Sequence, residues 1–113
     1  MPYLVTAIIK PFKLEEVKEN LRAAGMLGMT VTEVSGFGRQ GGKTESFRGS
    51  EYKMEFVPKV KVEVLCEKAE VNKVIDLIAS SAHTGKVGDG KIWAYELASL
   101  MRIRTSEQGD DAI

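Results

Sequence analysis

Residues 60–66 read Val60-Lys61-Val62-Glu63-Val64-Leu65-Cys66, and a few positions later Val71-Asn72-Lys73-Val74-Ile75-Asp76-Leu77-Ile78-Ala79 begins a second pattern. In the first stretch valines and a cysteine alternate with Lys61, Glu63 and Leu65, the period of two that puts one row of a strand on a core and the other mostly toward water. In the second, Val71, Val74, Ile75, Ile78, Ala79 and Ala82 recur at the three-to-four spacing of an amphipathic helix. After a glycine-rich break, Ile92 to Tyr95 reads as a further strand. The second half of the chain is therefore β-α-β.

The first half repeats that order. Tyr3 to Ile9 is rich in aliphatic and β-branched residues and is closed by Lys10-Pro11, a strand that cannot run straight into a helix through the proline. Leu14, Val17, Leu21 and Ala24 form a helical stripe that Gly25 stops. Met29 to Ser35 carries Thr30, Val31, Thr32 and Val34, which suit a pleated surface, and ends at Gly36. With short connections and right-handed crossovers, two βαβ halves give an α+β fold, the ferredoxin-like split βαβ sandwich. The alternation of Arg102, Ile103 and Arg104 suggests a short C-terminal strand within a segment of about 97–113, with both arginines on one face and Ile103 inward. Ser106 to Ile113 reads as a loose tail. Trp93 and Tyr95 share a strand face and read as packing residues.

The 113 residues suit one domain spanning 1–113, and 43% apolar content supports a core. Sixteen basic and sixteen acidic side chains leave a formal charge of zero, which argues against nucleic acid and against an anionic membrane surface. Any basic site must be local. A single cysteine, Cys66, excludes an intrachain disulfide and a multi-cysteine zinc site, and reads as a small core residue in a reducing compartment. With no apolar run of membrane length and no signal-peptide shape at Met1-Pro2-Tyr3, the expected location is the cytoplasm.

Eight of the eleven glycines fall in two clusters, at 36, 38, 41, 42 and 49 and at 85, 88 and 90. Clustered glycines beside strand ends let backbone N–H groups crowd toward an anion, so both are candidate phosphate or carboxylate cradles. Gly36-Phe37-Gly38-Arg39-Gln40-Gly41 spells G-x-G-x-x-G, but no apolar helical stripe follows, as a dinucleotide fold requires. Gly85-Lys86-Val87-Gly88-Asp89-Gly90-Lys91 spells G-x-x-x-x-G-K, but Ile92 replaces the Mg²⁺-binding hydroxyl residue and the order is helix, loop, strand. What remains is an anion cradle with Lys91 as a point charge, and Arg102 and Arg104 as two planar forks suited to a polyphosphate. Three or four charge-assisted contacts of roughly 1.5–3 kcal/mol would supply the ~8 kcal/mol of micromolar binding.

Between the second and third strands lies a long, polar stretch, about 37–58, whose tip Phe47-Arg48-Gly49-Ser50-Glu51-Tyr52 offers hydroxyls and aromatics that no core needs. Loops of that length in a small domain are usually functional or disordered, and a partner-contact or modification site fits. Ordering all of it at roughly 1–2 kcal/mol per residue exceeds what one small ligand provides, so a metabolite at Gln40 to Gly42 would set only the exit direction and a protein would order the tip. His83, the single histidine, borders the second cluster, at about 83–91. It raises the alternative of a phosphohistidine-type nucleotide phosphotransferase, although a histidine at a helix end is favourable through the helix dipole alone.

Six motifs in order, Ile8-Ile9-Lys10-Pro11-Phe12-Lys13-Leu14, Gly28-Met29-Thr30-Val31-Thr32-Glu33-Val34, Gly36-Phe37-Gly38-Arg39-Gln40, Arg48-Gly49-Ser50-Glu51-Tyr52, Thr84-Gly85-Lys86-Val87-Gly88-Asp89-Gly90-Lys91 and Arg102-Ile103-Arg104-Thr105, resemble the PII nitrogen-regulatory signal-transduction proteins over essentially the whole chain. The resemblance implies a regulator rather than an enzyme: a homotrimer with ATP or ADP in the clefts between subunits and a projecting T-loop. Gly38, Arg39, Gln40, Gly88, Asp89, Gly90 and Lys91 would hold nucleotide, Met29, Thr30, Arg102 and Arg104 would complete the site from the adjacent subunit, and Val64 would lie against the adenine. Gln40 would ligate Mg²⁺, and Gln40, Gly41, Gly42, Lys59 and Gly88 would take 2-oxoglutarate, with Lys59 on its far carboxylate. At Gly41 family members often carry a basic residue, so this chain lacks a charge there. Tyr52 matches a tyrosine uridylylated or adenylylated in some members, and Ser50 a serine phosphorylated in others. The implied T-loop targets are an ammonium channel, the route to any membrane, a biosynthetic kinase or a nucleotidyltransferase.

Overall fold

The computed structural model describes residues 1–37 and 55–113. Its elements follow as β1 (Pro2–Ile9), α1 (Leu14–Ala23), β2 (Thr30–Gly36), β3 (Val57–Glu67), α2 (Val71–Ala82) and β4 (Lys91–Glu96), with 3₁₀ turns at Pro11–Lys13, Lys68–Glu70 and Gly109–Ala112. The strands form one antiparallel sheet in the order β2-β3-β1-β4, the split βαβ arrangement expected from the sequence. β1 lies between β3 and β4, with Val5 opposite both Val64 and Ala94 and Thr6 opposite both Glu63 and Trp93.

The alternation in β3 sends Val60, Val62, Val64 and Cys66 to the face covered by the helices, where they meet Val5, Ala7 and Ile9 of β1, Val17 and Leu21 of α1, and Val74, Ile78 and Ala82 of α2. Each fully buried aliphatic side chain contributes roughly 1.5–3 kcal/mol of transfer free energy. Where α1 meets α2, buried Ser81 donates to the Leu77 carbonyl and accepts from Asn20 Nδ2, both at 2.7 Å, so no polar atom of that serine is stranded. Burial raises the Cys66 thiol's pKa, which leaves it an unreactive core side chain.

β3 begins at Val57, so residues 57 and 58, expected at the end of the loop, are strand, as is Lys59. Pro58 stands opposite Ser35 in a portion that pairs only with β2, since β1 ends at Ile9 opposite Val60, and an edge tolerates the missing N–H. Just past this pairing Phe37 and Phe56 meet edge to face, ring centroids 5.2 Å apart.

The expected C-terminal strand does not form. Met101 makes an isolated bridge to Gln108, residues 103–105 turn, and Ile103, expected inward, is 94% exposed. The segment expected to be loose is instead tied down: Arg102 donates to Glu107 at 2.7 Å and to the Ile113 carbonyl at 2.8 Å, Asp110 accepts from the Met1 amino group, and Ala112 is buried. The segment's backbone is satisfied within itself, the Arg102 N–H by the Glu107 carbonyl at 2.9 Å, the Ser106 N–H by the Arg102 carbonyl at 2.8 Å and the Gly109 N–H by the Leu100 carbonyl at 3.0 Å, so it closes on itself instead of joining the sheet. Nor do Trp93 and Tyr95 pack within the chain, as the sequence suggested. They lie on the sheet face that no helix covers, 43% and 49% exposed, beside Thr6, whose buried hydroxyl has no partner among the described residues.

Candidate functional site

The second glycine cluster connects α2 to β4 and is folded by its own side chains. Gly85, Gly88 and Gly90 have φ of +85°, +95° and +101°, a region other residues rarely adopt. Asp89 accepts from the Thr84 and Gly85 amides, each at 2.9 Å, from the Thr84 hydroxyl and, at 3.2 Å, from Lys10 at the end of β1. The Thr84 hydroxyl and amide, with the Gly85 amide and Lys10, hold the Asp89 carboxyl well below the usual carboxylate range against the cost of desolvation. Gly90 abuts β1: a Cβ there would lie 1.7 Å from the Ile8 carbonyl oxygen.

Lys59 reaches this loop from β3. Its side chain is buried and its ammonium donates to the Gly88 carbonyl. Burial, and then the charge of Lys10, pulls its pKa below the usual lysine value, with Asp89 opposing. Among the described residues no carboxylate comes within ion-pairing distance of Lys59, so a buried cation is answered by one neutral carbonyl.

A cleft of about 420 Å³ is lined by Lys59 together with Gly36 and Phe37 at the end of β2, Val87 to Lys91, and Ile8 and Trp93. The end of β2, where the first glycine cluster starts, and Gly88 and Gly90 of the second cluster thus face one cavity. Among the described residues no group of three or more His, Cys, Asp or Glu stands together as a metal site.

Of the residues singled out from the sequence, the structure brings Lys59, Gly88, Asp89, Gly90 and Lys91 to this cleft. Met29 and Thr30 precede and begin β2, whose six steps of roughly 3.3 Å put them about 20 Å from Gly36. Arg102 and Arg104 lie in the C-terminal segment, with Arg102 engaged by Glu107. The Val64 side chain is 1% exposed in the core, which leaves its backbone as the part able to border an adenine. β2 pairs with β3 only as far as Glu63, so from Val64 onward it is backbone that borders the open edge. Gly38, Arg39, Gln40, Gly41, Gly42, Ser50 and Tyr52 lie outside the described residues. His83 is exposed at the end of α2, near Gly85. The sequence reading missed Lys10 and Thr84, although a hydroxyl and a carboxylate flanking two glycines is a loop-closing signal.

The family model of nitrogen regulatory protein P-II matches residues 3–107. The chain belongs to the P-II family. Two P-II proteins, from Azospirillum brasilense and Pasteurella multocida, are 55% and 53% identical over 109 residues, covering 96% of this chain and 97% of each relative. The Escherichia coli nitrogen regulatory protein GlnK is 53% identical over 110 residues, 97% of this chain and 98% of its own. Among solved structures, Arabidopsis thaliana PII bound to citrate superposes with a TM-score of 0.81 at 36% identity, covering 99% of this chain and 92% of that one. This P-II chain is thus a nitrogen regulatory signal protein by family, with a ferredoxin-like fold and, among its described residues, no helix long and apolar enough to cross a membrane.

Proposed function

We propose that this chain is a cytoplasmic homotrimeric sensor that binds ATP or ADP and 2-oxoglutarate in its inter-subunit clefts and regulates partner proteins through the T-loop. The observation that carries the reading is Lys59, a buried ammonium that meets no carboxylate among the described residues, beside a glycine loop whose Gly88 and Gly90 amides meet no acceptor among them either. That donor set fits an anion: amides and Lys91 for phosphates, Lys59 for a carboxylate. The citrate bound to the Arabidopsis relative is itself a polycarboxylate.

Thr30 and Gly36 stand at opposite ends of one strand, which supports a site completed by a second subunit that contributes Met29, Thr30, Arg102 and Arg104. Gly38, Arg39 and Gln40 would join the loop of 84–91 around the nucleotide, with Val64 contributing backbone to the adenine. Gln40 would offer its side-chain oxygen to Mg²⁺, and Gly41 and Gly42 their amides to 2-oxoglutarate. Lys59 would exchange the Gly88 carbonyl for the far carboxylate. Tyr52 is the proposed site of uridylylation or adenylylation and Ser50 the lesser candidate, for phosphorylation. A coupling of about 1–3 kcal/mol between the carboxylate site and the loop is enough to change partners, whether an ammonium channel, a biosynthetic kinase or a nucleotidyltransferase.

Calorimetry tests this directly. 2-Oxoglutarate should bind in the presence of Mg-ATP and not of ADP, and Gln40→Ala should retain ATP while losing that response. Equal 2-oxoglutarate binding with either nucleotide defeats the proposal.

A further inference from the structure

We propose that Asp89 is a positioning residue for the nucleotide site: its carboxylate clamps the second glycine-rich loop so that the Gly88 and Gly90 amides face a phosphate, and it touches no ligand itself. This rests on the reading that the loop of 84–91 holds nucleotide. Two carboxylate oxygens offer about four acceptor positions, and all are used. Oδ2 takes the Thr84 and Gly85 amides at 2.9 Å, and Oδ1 takes the Thr84 hydroxyl and, at 3.2 Å, Lys10 Nζ. Nothing remains for a ligand, and a carboxylate has no hydrogen to give a phosphate.

The clamp is closed at its other end too. The Thr84 hydroxyl donates to Asp89 while accepting from the Lys86 amide at 3.1 Å and from Lys10 at 3.2 Å. Lys10 thereby answers the Asp89 charge within the protein, so that a phosphate would meet amides and lysines instead of an unscreened anion. A loop with three glycines at positive φ has wide conformational freedom, and the clamp removes it before any ligand arrives.

The substitution Asp89→Asn separates this role from simple electrostatics because the two give opposite signs. Deleting a negative charge near a polyphosphate strengthens binding by Coulomb's law, whereas an amide presents N–H groups to the amides and hydroxyl it must hold and opens the loop. ATP is titrated calorimetrically into wild type, Asp89→Asn, Thr84→Val and Thr84→Ser, with amide exchange followed at Thr84 and Gly85. Asp89→Asn and Thr84→Val should bind ATP about tenfold or more weakly, while Thr84→Ser, which keeps the hydroxyl, stays within about twofold of wild type. The Thr84 and Gly85 amides should be protected in the nucleotide-free wild type and exchange freely in Asp89→Asn, with β1 and β3 still protected. Unchanged or tighter ATP binding by Asp89→Asn overturns the proposal, as does retained protection at 84 and 85. Should Asp89→Asn not fold, the valine and serine variants of Thr84 decide by the same criteria. A wild type that binds no ATP while those two amides are protected overturns the nucleotide reading beneath the proposal, a failure distinct from that of the clamp.

Discussion

Gly90 and Asp89 are neighbours with different obligations. A methyl group at Gly90 would meet the Ile8 carbonyl oxygen at 1.7 Å in a backbone already at φ +101°. Gly90→Ala should therefore cost on the order of 3–5 kcal/mol, because β1 must give way. Gly25→Ala and Gly109→Ala, at φ of +93° and +67° but facing open space, should each cost about 1–2 kcal/mol. Urea unfolding midpoints check the contrast. Asp89 adds a pH dependence whose sign follows from its lowered pKa. A depressed carboxylate contributes stability that is complete above its unfolded value, about 4, and is lost as pH falls through the lower folded value. Thermal unfolding of Asp89→Asn should accordingly show a flatter acid limb below about pH 4 than wild type. The clustering of glycines was legible as a cradle. That Gly90 serves contact with β1, and that Lys10 fastens Asp89, was not, since both depend on distant residues the fold brings alongside, whereas Thr84, five residues from Asp89, carried a local signal.

The regular elements were readable wherever burial has a period. The β3 valines and the α2 stripe announced themselves because each has one face in the core, and the stop at Gly25 because its φ of +93° suits glycine. The first three residues of β3 did not, since Pro58 signals a loop and only pairing with β2 makes it strand. The C-terminal segment departs from its pattern for a related reason: alternation in Arg102-Ile103-Arg104 is a strand pattern, but backbone bonds from Arg102 to Glu107, Ser106 to Arg102 and Gly109 to Leu100 set the chain there. The Arg102–Glu107 pair is partly exposed, and such pairs are worth about 0.2–1 kcal/mol. Glu107→Gln should thus leave the unfolding midpoint almost unchanged. If Arg102 serves a neighbouring subunit's nucleotide, freeing it from Glu107 should tighten ATP binding a few-fold, as calorimetry would read. Unaltered affinity would separate Arg102 from that site.

For the whole molecule, the helix-free sheet face matters most. Trp93 and Tyr95 stand half exposed on it, and burying an aromatic side chain of that size yields roughly 2–3 kcal/mol. Sedimentation equilibrium should return three times the mass of one chain, and Trp93→Glu should shift the population to lighter species while the fold persists. A monomer at every concentration would remove the inter-subunit site. Strand alternation shows that such a face exists, but a second copy's surface leaves no trace in the periodicity of one chain, so the proposed trimer rests on the resemblance.

The two phenyl rings at positions 37 and 56 act as a clasp, closing a ring of chain at the point where β2 hands over to β3. Register at that junction rests on the pairs just inside the clasp, Gly36 with Val57 and Ser35 with Pro58, so replacing both phenylalanines by alanine should loosen the strand ends there before it disturbs the pairing of Val31 with Val62 further along.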